Sequence, residues 1–110
     1  MGGSSDERFG HNEALFREIN ERIEAGRWPS EAESPAAFLC ECARLGCNVL
    51  VELTIGQYEH IRADARHFVL AAGHELPEAE FVVERHPGYV VVEKKGTAAT
   101  VAKETDPRAD

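Results

Sequence analysis

All three cysteines of this 110-residue chain fall in one short stretch, Phe38-Leu39-Cys40-Glu41-Cys42-Ala43-Arg44-Leu45-Gly46-Cys47. Three thiols make a poor disulfide set, because one is always left over, but they make three corners of a tetrahedral metal site. The residues between them, among them Glu41, Arg44 and Gly46, do not suit an apolar core segment. The cluster therefore demands a tight turn around 40–47 and a distant element that delivers a fourth ligand.

Side chains at i and i+2 of an extended segment point to the same side, so Cys40 and Cys42 can converge on one ion. Gly46 lets the backbone fold Cys47 back to them. His74, in Ala72-Gly73-His74-Glu75, is the favoured fourth ligand because the glycine before it can aim its side chain inward. His60, His67, His86, Glu75 and Glu52 compete with it. His60 and His67 read as decorations of a helix and a strand, His86 belongs to a turn, and His11 lies on a separate helix. Glu75 is either an acceptor that orients the ligand imidazole or a plain surface acid. Three thiolates and a neutral imidazole suit Zn2+ and leave no open position for water, which points to a structural ion rather than a catalytic one. No serine or lysine sits in a nucleophile motif, and Glu24, Glu41 or Glu52 could act as a base only beside a bound substrate, so the chain does not read as an enzyme.

The expected fold class is α+β. The expected organisation is a flexible leader over 1–8, a single zinc-binding domain over 9–104, and a disordered tail over 105–110. Within the domain, 9–26 is a helix, 27–36 a linker and 37–104 a metal-clipped core. Phe9, Leu15, Phe16, Ile19 and Ile23 recur at helical spacing and predict the buried face of the first helix. Glu13 to Arg17, Arg17 to Glu21 and Glu18 to Arg22 predict ion pairs on its solvated face. Gly26 predicts a left-handed cap, and Trp28-Pro29 through Pro35 an irregular segment in which Trp28 lids the core.

Alternation from Ala37 and again at Val49, Val51 and Leu53 predicts a hairpin with the cysteines in its turn. Thr54-Ile55-Gly56-Gln57 fits a capping box opening a second helix through Tyr58, Ile61 and Ala65. A strand is expected over 66–71. A second hairpin pairs Phe81 to Arg85 with Tyr89 to Glu93 around His86-Pro87-Gly88. A short helix over 97–104 would turn Ala98, Val101 and Ala102 inward.

A net charge of −8 and the lack of a basic stripe argue against nucleic acid. No apolar run approaches the ~20 residues that span a bilayer, and the first thirty residues lack a secretory pattern. A cytoplasmic protein without membrane contact is expected, where reducing conditions keep thiols available to metal.

The run Phe38-Leu39-Cys40-Glu41-Cys42, Cys47, Val51-Glu52-Leu53-Thr54, Gln57-Tyr58-Glu59, Gly73-His74-Glu75, Tyr89-Val90-Val91-Val92-Glu93-Lys94 and Asp106-Pro107-Arg108 resembles a family of small bacterial proteins found mainly in actinobacteria. The resemblance covers nearly the whole chain, and its Phe-x-Cys-x-Cys and Gly-His-Glu pieces are the most specific. It implies a stand-alone cytosolic protein with a zinc site, and no activity. Three cysteines and a histidine also resemble the [2Fe-2S] proteins of the CDGSH class. There, however, the histidine follows the third cysteine almost at once, whereas Cys47 is followed by Asn48-Val49-Leu50.

Three functions are expected in order. The first is a zinc-stabilised protein interaction or regulatory module, whose acidic surface meets a basic patch on a protein partner and whose N-terminal helix forms the contact or a homodimer seam. The second is a thiol switch that releases zinc on oxidation. The third is a [2Fe-2S] electron carrier.

Overall fold

The computed structural model describes residues 2–26, 33–42 and 47–108, with side chains from Glu13 onward. The elements are α1 (Gly2–Ala25), β1 (Pro35–Leu39), β2 (Leu50–Thr54), α2 (Ile55–Arg62), β3 (His67–Leu70), β4 (Glu80–His86), β5 (Tyr89–Lys94) and α3 (Thr97–Glu104). The fold is α+β: helices packed on two antiparallel sheets, β1-β2 and β3-β5-β4.

β5 carries Tyr89-Val90-Val91-Val92, an unbroken apolar run, and such a run is stable where both faces of a strand are covered. It is the central strand of its sheet, and all four residues are buried. The pleat sends Val69 and Val91 to one face, against Phe38, Val51 and Tyr58. It sends Phe68, Leu70, Val90 and Val92 to the other, against Cys40, Cys42 and Ala102 of α3. Pro87-Gly88 joins β4 to β5, with Gly88 at φ 89°, the positive value this turn needs and a side chain resists. A bulge between Val82 and Glu84 shifts the register of β4, an edge strand.

The first hairpin pairs Phe38 with Val51 and Leu39 with Leu50, so Ala36, Phe38, Val51 and Leu53 face inward. β1 begins at Pro35, inside the segment expected to be a linker to 36. Proline is tolerated at the first residue of a strand, where its missing N–H costs no rung. The expected capping box is present: Gln57 N–H donates to Thr54 Oγ1 (3.0 Å) and Thr54 N–H to Gln57 Oε1 (2.8 Å). It starts α2, whose Tyr58 ring stacks on Phe38 at 4.5 Å.

α1 departs most from its expected form. The helix starts at Gly2 rather than after a leader. Its fully buried face is polar: Glu13, Arg17 and Asn20 are 5, 0 and 0 % exposed, while Leu15 is 52 % exposed and Phe16, Ile19 and Ile23 are half-buried. Arg17 donates to the carbonyls of Ala65 (2.6 Å) and Ala102 (2.7 Å) and lies 4.3 Å over the Phe68 ring. Glu13 meets Lys94 of β5, which also holds Glu80. Of the expected surface pairs, Glu18–Arg22 forms at 3.1 Å. Glu13 and Arg17 instead turn to the core, because residues 13, 17 and 20 also share a helical face, where Glu13 meets Lys94 and Arg17 two backbone carbonyls. Gly26 is not left-handed; its N–H donates to Arg22 O at 3.1 Å and simply extends the helix ladder.

Of the tail expected to be disordered over 105–110, residues 106 and 108 are anchored, and 109–110 lie outside the described residues. Asp106 pairs with Arg62, whose side chain is fully buried. Arg108 reaches Glu21 (2.5 and 2.8 Å), Glu24 (3.1 Å) and Glu59 (2.6 Å). The linker residue Trp28 and the turn at Gly46 lie outside the described residues, as do the side chains of Phe9 and His11.

Candidate metal centre

The cysteine stretch is positioned by a change of partner. Cys40 N–H donates to Val49 O (2.9 Å), the last rung of the first hairpin. One residue on, Glu41 N–H donates to Val69 O (2.8 Å), so the chain steps from β2 onto the edge of β3. The step ties the two sheets together and leaves Cys40 and Cys42 over the face built by Phe68, Leu70, Val90 and Val92. After β3 the chain reverses: His74 N–H donates to Ala71 O (3.1 Å), with Gly73 at φ 90°. The reversal brings the imidazole of His74 back over the knuckle.

The four expected ligands meet. One donor atom each from Cys40, Cys42, Cys47 and His74 lies within 4.8 Å of all the others. His74 Nδ1 is 3.6 Å from Cys40 Sγ and 3.7 Å from Cys47 Sγ. A tetrahedron with metal–sulfur bonds of about 2.3 Å and metal–nitrogen bonds of about 2.0–2.1 Å has S···N edges of ~3.6 Å. The spacing therefore fits one four-coordinate ion. Cys40 and Cys42 are buried, while Cys47 and His74 are half-buried toward solvent.

The local electrostatics also favour a cation. The Cys40 thiol is pushed far up from its ordinary range, first by its hydrogen bond with Cys42, then by burial and by the charge of Cys42 and Cys47. Ala71 N–H, donating to Cys40 Sγ at 3.1 Å, pulls the other way. Crowded sulfurs cannot all ionise alone, and a divalent ion is the group that lets them. None of the three is joined in a disulfide.

The competing ligands are engaged elsewhere. His60 Nε2 lies 2.9 Å from Glu84, and His86 Nε2 2.8 Å from the same carboxylate. His67 Nε2 is 3.1 Å from Glu93, and Glu52 is exposed on the outer side of β2. Glu75 serves the loop: its Oε1 accepts Gly73 N–H at 2.9 Å, and Oε2 is 4.0 Å from Arg85.

Two features were not anticipated from sequence. Glu41, between two ligands, is fully buried and accepts from Asn20 Nδ2 (2.8 Å), Tyr58 Oη (2.9 Å) and Val69 N–H (3.1 Å). Burial nonetheless pushes its carboxyl up from the ordinary range, with those three donors opposing. Cys-Glu-Cys alternation signals that residue 41 points away from the sulfurs, though not what receives it. The second feature is a group of Asp64, His67 and Glu93 whose donor atoms also lie within 4.8 Å. Arg66 already supplies the cation there, 2.9 Å from Asp64 and 3.6 Å from Glu93, and its hydrogen bond holds Asp64 down to about 2.

Comparison of the chain with protein-family models, with curated proteins and with solved structures finds no match. The structure itself supplies a cluster of three cysteines and a histidine that could hold a metal ion. Among the described residues, no helix is long and apolar enough to cross a membrane.

Proposed function

We propose that the chain is a small zinc protein in which the ion is structural and the folded unit serves as a protein interaction or regulatory module. The observation that carries the reading is the convergence of Cys40, Cys42, Cys47 and His74 within 4.8 Å. Thiolate sulfur and imidazole nitrogen in this number are the donor set of closed zinc sites. Zinc held there would supply a cross-link between the β1–β2 loop and the turn after β3, and the chain's own residues do the rest. Cys40 and Cys42 anchor the ion to the core, Cys47 and His74 close it from the solvent side, and Ala71 N–H steadies one sulfur. Four protein ligands leave no position for a reacting water, which supports a non-catalytic role.

The interaction role is supported by the net charge of −8 and by the apolar edge of α1 with Leu15 52 % exposed. A protein partner with a basic surface would meet such a face, and a second copy through α1 is the alternative. Membership of the small actinobacterial family belongs to the same proposal, because its two most specific pieces, around Cys40-x-Cys42 and Gly73-His74-Glu75, are the two brought together in space. A two-iron cluster spreads its ligands over two metal atoms, so four donors this close favour a single ion.

Half-burial of Cys47 favours one second reading, a thiol switch. Peroxide would take two electrons from a pair of thiolates, forming a disulfide and water, and the zinc would leave.

Elemental analysis of the purified chain tests the proposal. One zinc per chain, a colourless solution and a lower Tm after chelation are expected. A visible chromophore with iron would replace zinc by a cluster, and metal-free protein of unchanged Tm would overturn the reading. Zinc release by low peroxide, reversed by reductant, would select the switch over the constitutive module.

A further inference from the structure

We infer that Glu41 is the positioning residue of the metal centre, and that through it the seating of α1 is tied to metal occupancy. The inference rests on the metal-binding reading above.

Residue 41 is fixed twice at one point on the edge of β3. Its backbone N–H donates to Val69 O at 2.8 Å, and its carboxylate accepts Val69 N–H at 3.1 Å. The ligands Cys40 and Cys42 are each one peptide away, so their aim is set by how firmly Glu41 is held. Its carboxylate collects donors from three separate elements: Asn20 of α1, Tyr58 of α2 and Val69 of β3. An acceptor-only group is required for three convergent donors, which accounts for an acid at a fully buried position where an amide would turn its own N–H against one of them.

Asn20 adds the link to α1. Its Oδ1 accepts Leu39 N–H at 2.7 Å, and its Nδ2 donates to Leu39 O and to Glu41, both at 2.8 Å. One side chain of α1 thus grips the residues on both sides of Cys40. Whatever orders the knuckle, metal included, also orders the acceptors that hold Asn20. Linkage makes the effect reciprocal: α1 seated on Leu39 and Glu41 raises metal affinity by the factor by which bound metal favours seated α1.

The test uses the full chain with Co(II) as the probe ion. Affinity is measured by chelator competition, geometry by the ligand-field bands, and α1 by amide hydrogen exchange with and without metal. Asn20→Ala and Tyr58→Phe are each expected to weaken Co(II) binding about tenfold or more, the range seen when outer hydrogen-bond partners of metal ligands are removed. Their ligand-field bands should shift, while the thiolate charge-transfer intensity stays, since every sulfur remains. Arg22→Ala, in the exposed pair on the same helix, should bind Co(II) as wild type does. Stripping the metal from wild type should raise exchange across 13–25 more than across the β4–β5 hairpin.

A residue that only stabilised the fold would lower Tm and leave the folded chain's affinity and ligand-field bands unchanged, which would overturn the inference. So would equal exchange of α1 with and without metal, or a rise spread evenly over α1 and the hairpin. Should Asn20→Ala fail to fold, Tyr58→Phe keeps the ring stacked on Phe38 and decides the affinity arm alone. A wild-type chain that takes up neither Co(II) nor Zn(II) would instead bring down the metal reading itself, a distinguishable failure.

Discussion

Lys94 supplies one positive charge to two buried carboxylates, those of Glu13 and Glu80, and the imbalance should make the protein more stable when one of them is neutralised. Lys94, Glu80 and Glu13 are 2, 4 and 5 % exposed, and the Lys94 ammonium stands 5.0 Å over the Phe68 ring. Glu80 is better satisfied, since it also accepts Leu76 N–H at 2.6 Å. Glu13 is the group that yields. Burial pushes its carboxyl up from 4.5 to about 7, against the pull of Lys94 and with the charges of Glu80 and Cys42 adding to the rise.

Below pH 4.5 both the folded and unfolded chains keep that proton, and nothing is lost. As pH climbs through about 7 the folded state must release a proton it holds more tightly than the unfolded chain does, so stability falls. The difference, at about 1.4 kcal/mol for each tenfold, amounts to roughly 3 kcal/mol. Glu13→Gln removes it. Urea denaturation of wild type and Glu13→Gln across pH 4 to 8, at constant zinc, should give near-equal stabilities at pH 4. The variant should then gain progressively, by up to about 3 kcal/mol at pH 8. Comparing the two chains cancels the titrations of groups that do not act on Glu13, and constant zinc holds the state of Cys42, which does. A variant less stable than wild type at pH 8, or a difference that does not change with pH, would refute the charge count.

His74→Ala and Cys42→Ser should each lose metal, read as zinc per chain by elemental analysis after gel filtration, while His60→Ala retains it. Equal zinc in His74→Ala and wild type would show that another group is the fourth ligand. Arg108→Ala, whose side chain is 32 % exposed, should cost about 0.5–1 kcal/mol in urea despite its three carboxylate partners, because solvent screens such contacts. Gly88→Ala places a side chain at φ 89° and should cost about 1 kcal/mol, with no effect on metal content.

Much of the sheet structure was legible because its signals are local. Thr54 and Gln57 form a capping box three residues apart, Pro87-Gly88 encodes its own turn, and Tyr89 to Val92 announces a hairpin strand. The convergence of four donors was legible for a different reason: sulfur and imidazole have few uses at that density, so Cys40, Cys42, Cys47 and His74 could be grouped before any strand was paired. The orientation of α1 was not. Leu15, Phe16, Ile19 and Ile23 share a helical face, and hydrophobicity alone turns that face inward. Glu13, Arg17 and Asn20 share another, whose burial depends on Lys94, Ala65, Ala102 and Leu39, none of them nearby in the chain. The same holds for Arg108, which reads as a loose end until Glu21, Glu24 and Glu59 are seen to converge on it. Glu41 was hidden by its neighbours, its acid lost between two more conspicuous thiols.

The polar docking face of α1 has a consequence for how the chain is made. Its partners arrive late: Ala65 follows Arg17 by 48 residues, Lys94 follows Glu13 by 81, and Arg108 follows Glu21 by 87. A helix made that far ahead of its partners would be an aggregation hazard if its seat were greasy. With carboxylate, guanidinium and amide on that side it can wait in water, and it locks down when β5 and α3 have been translated.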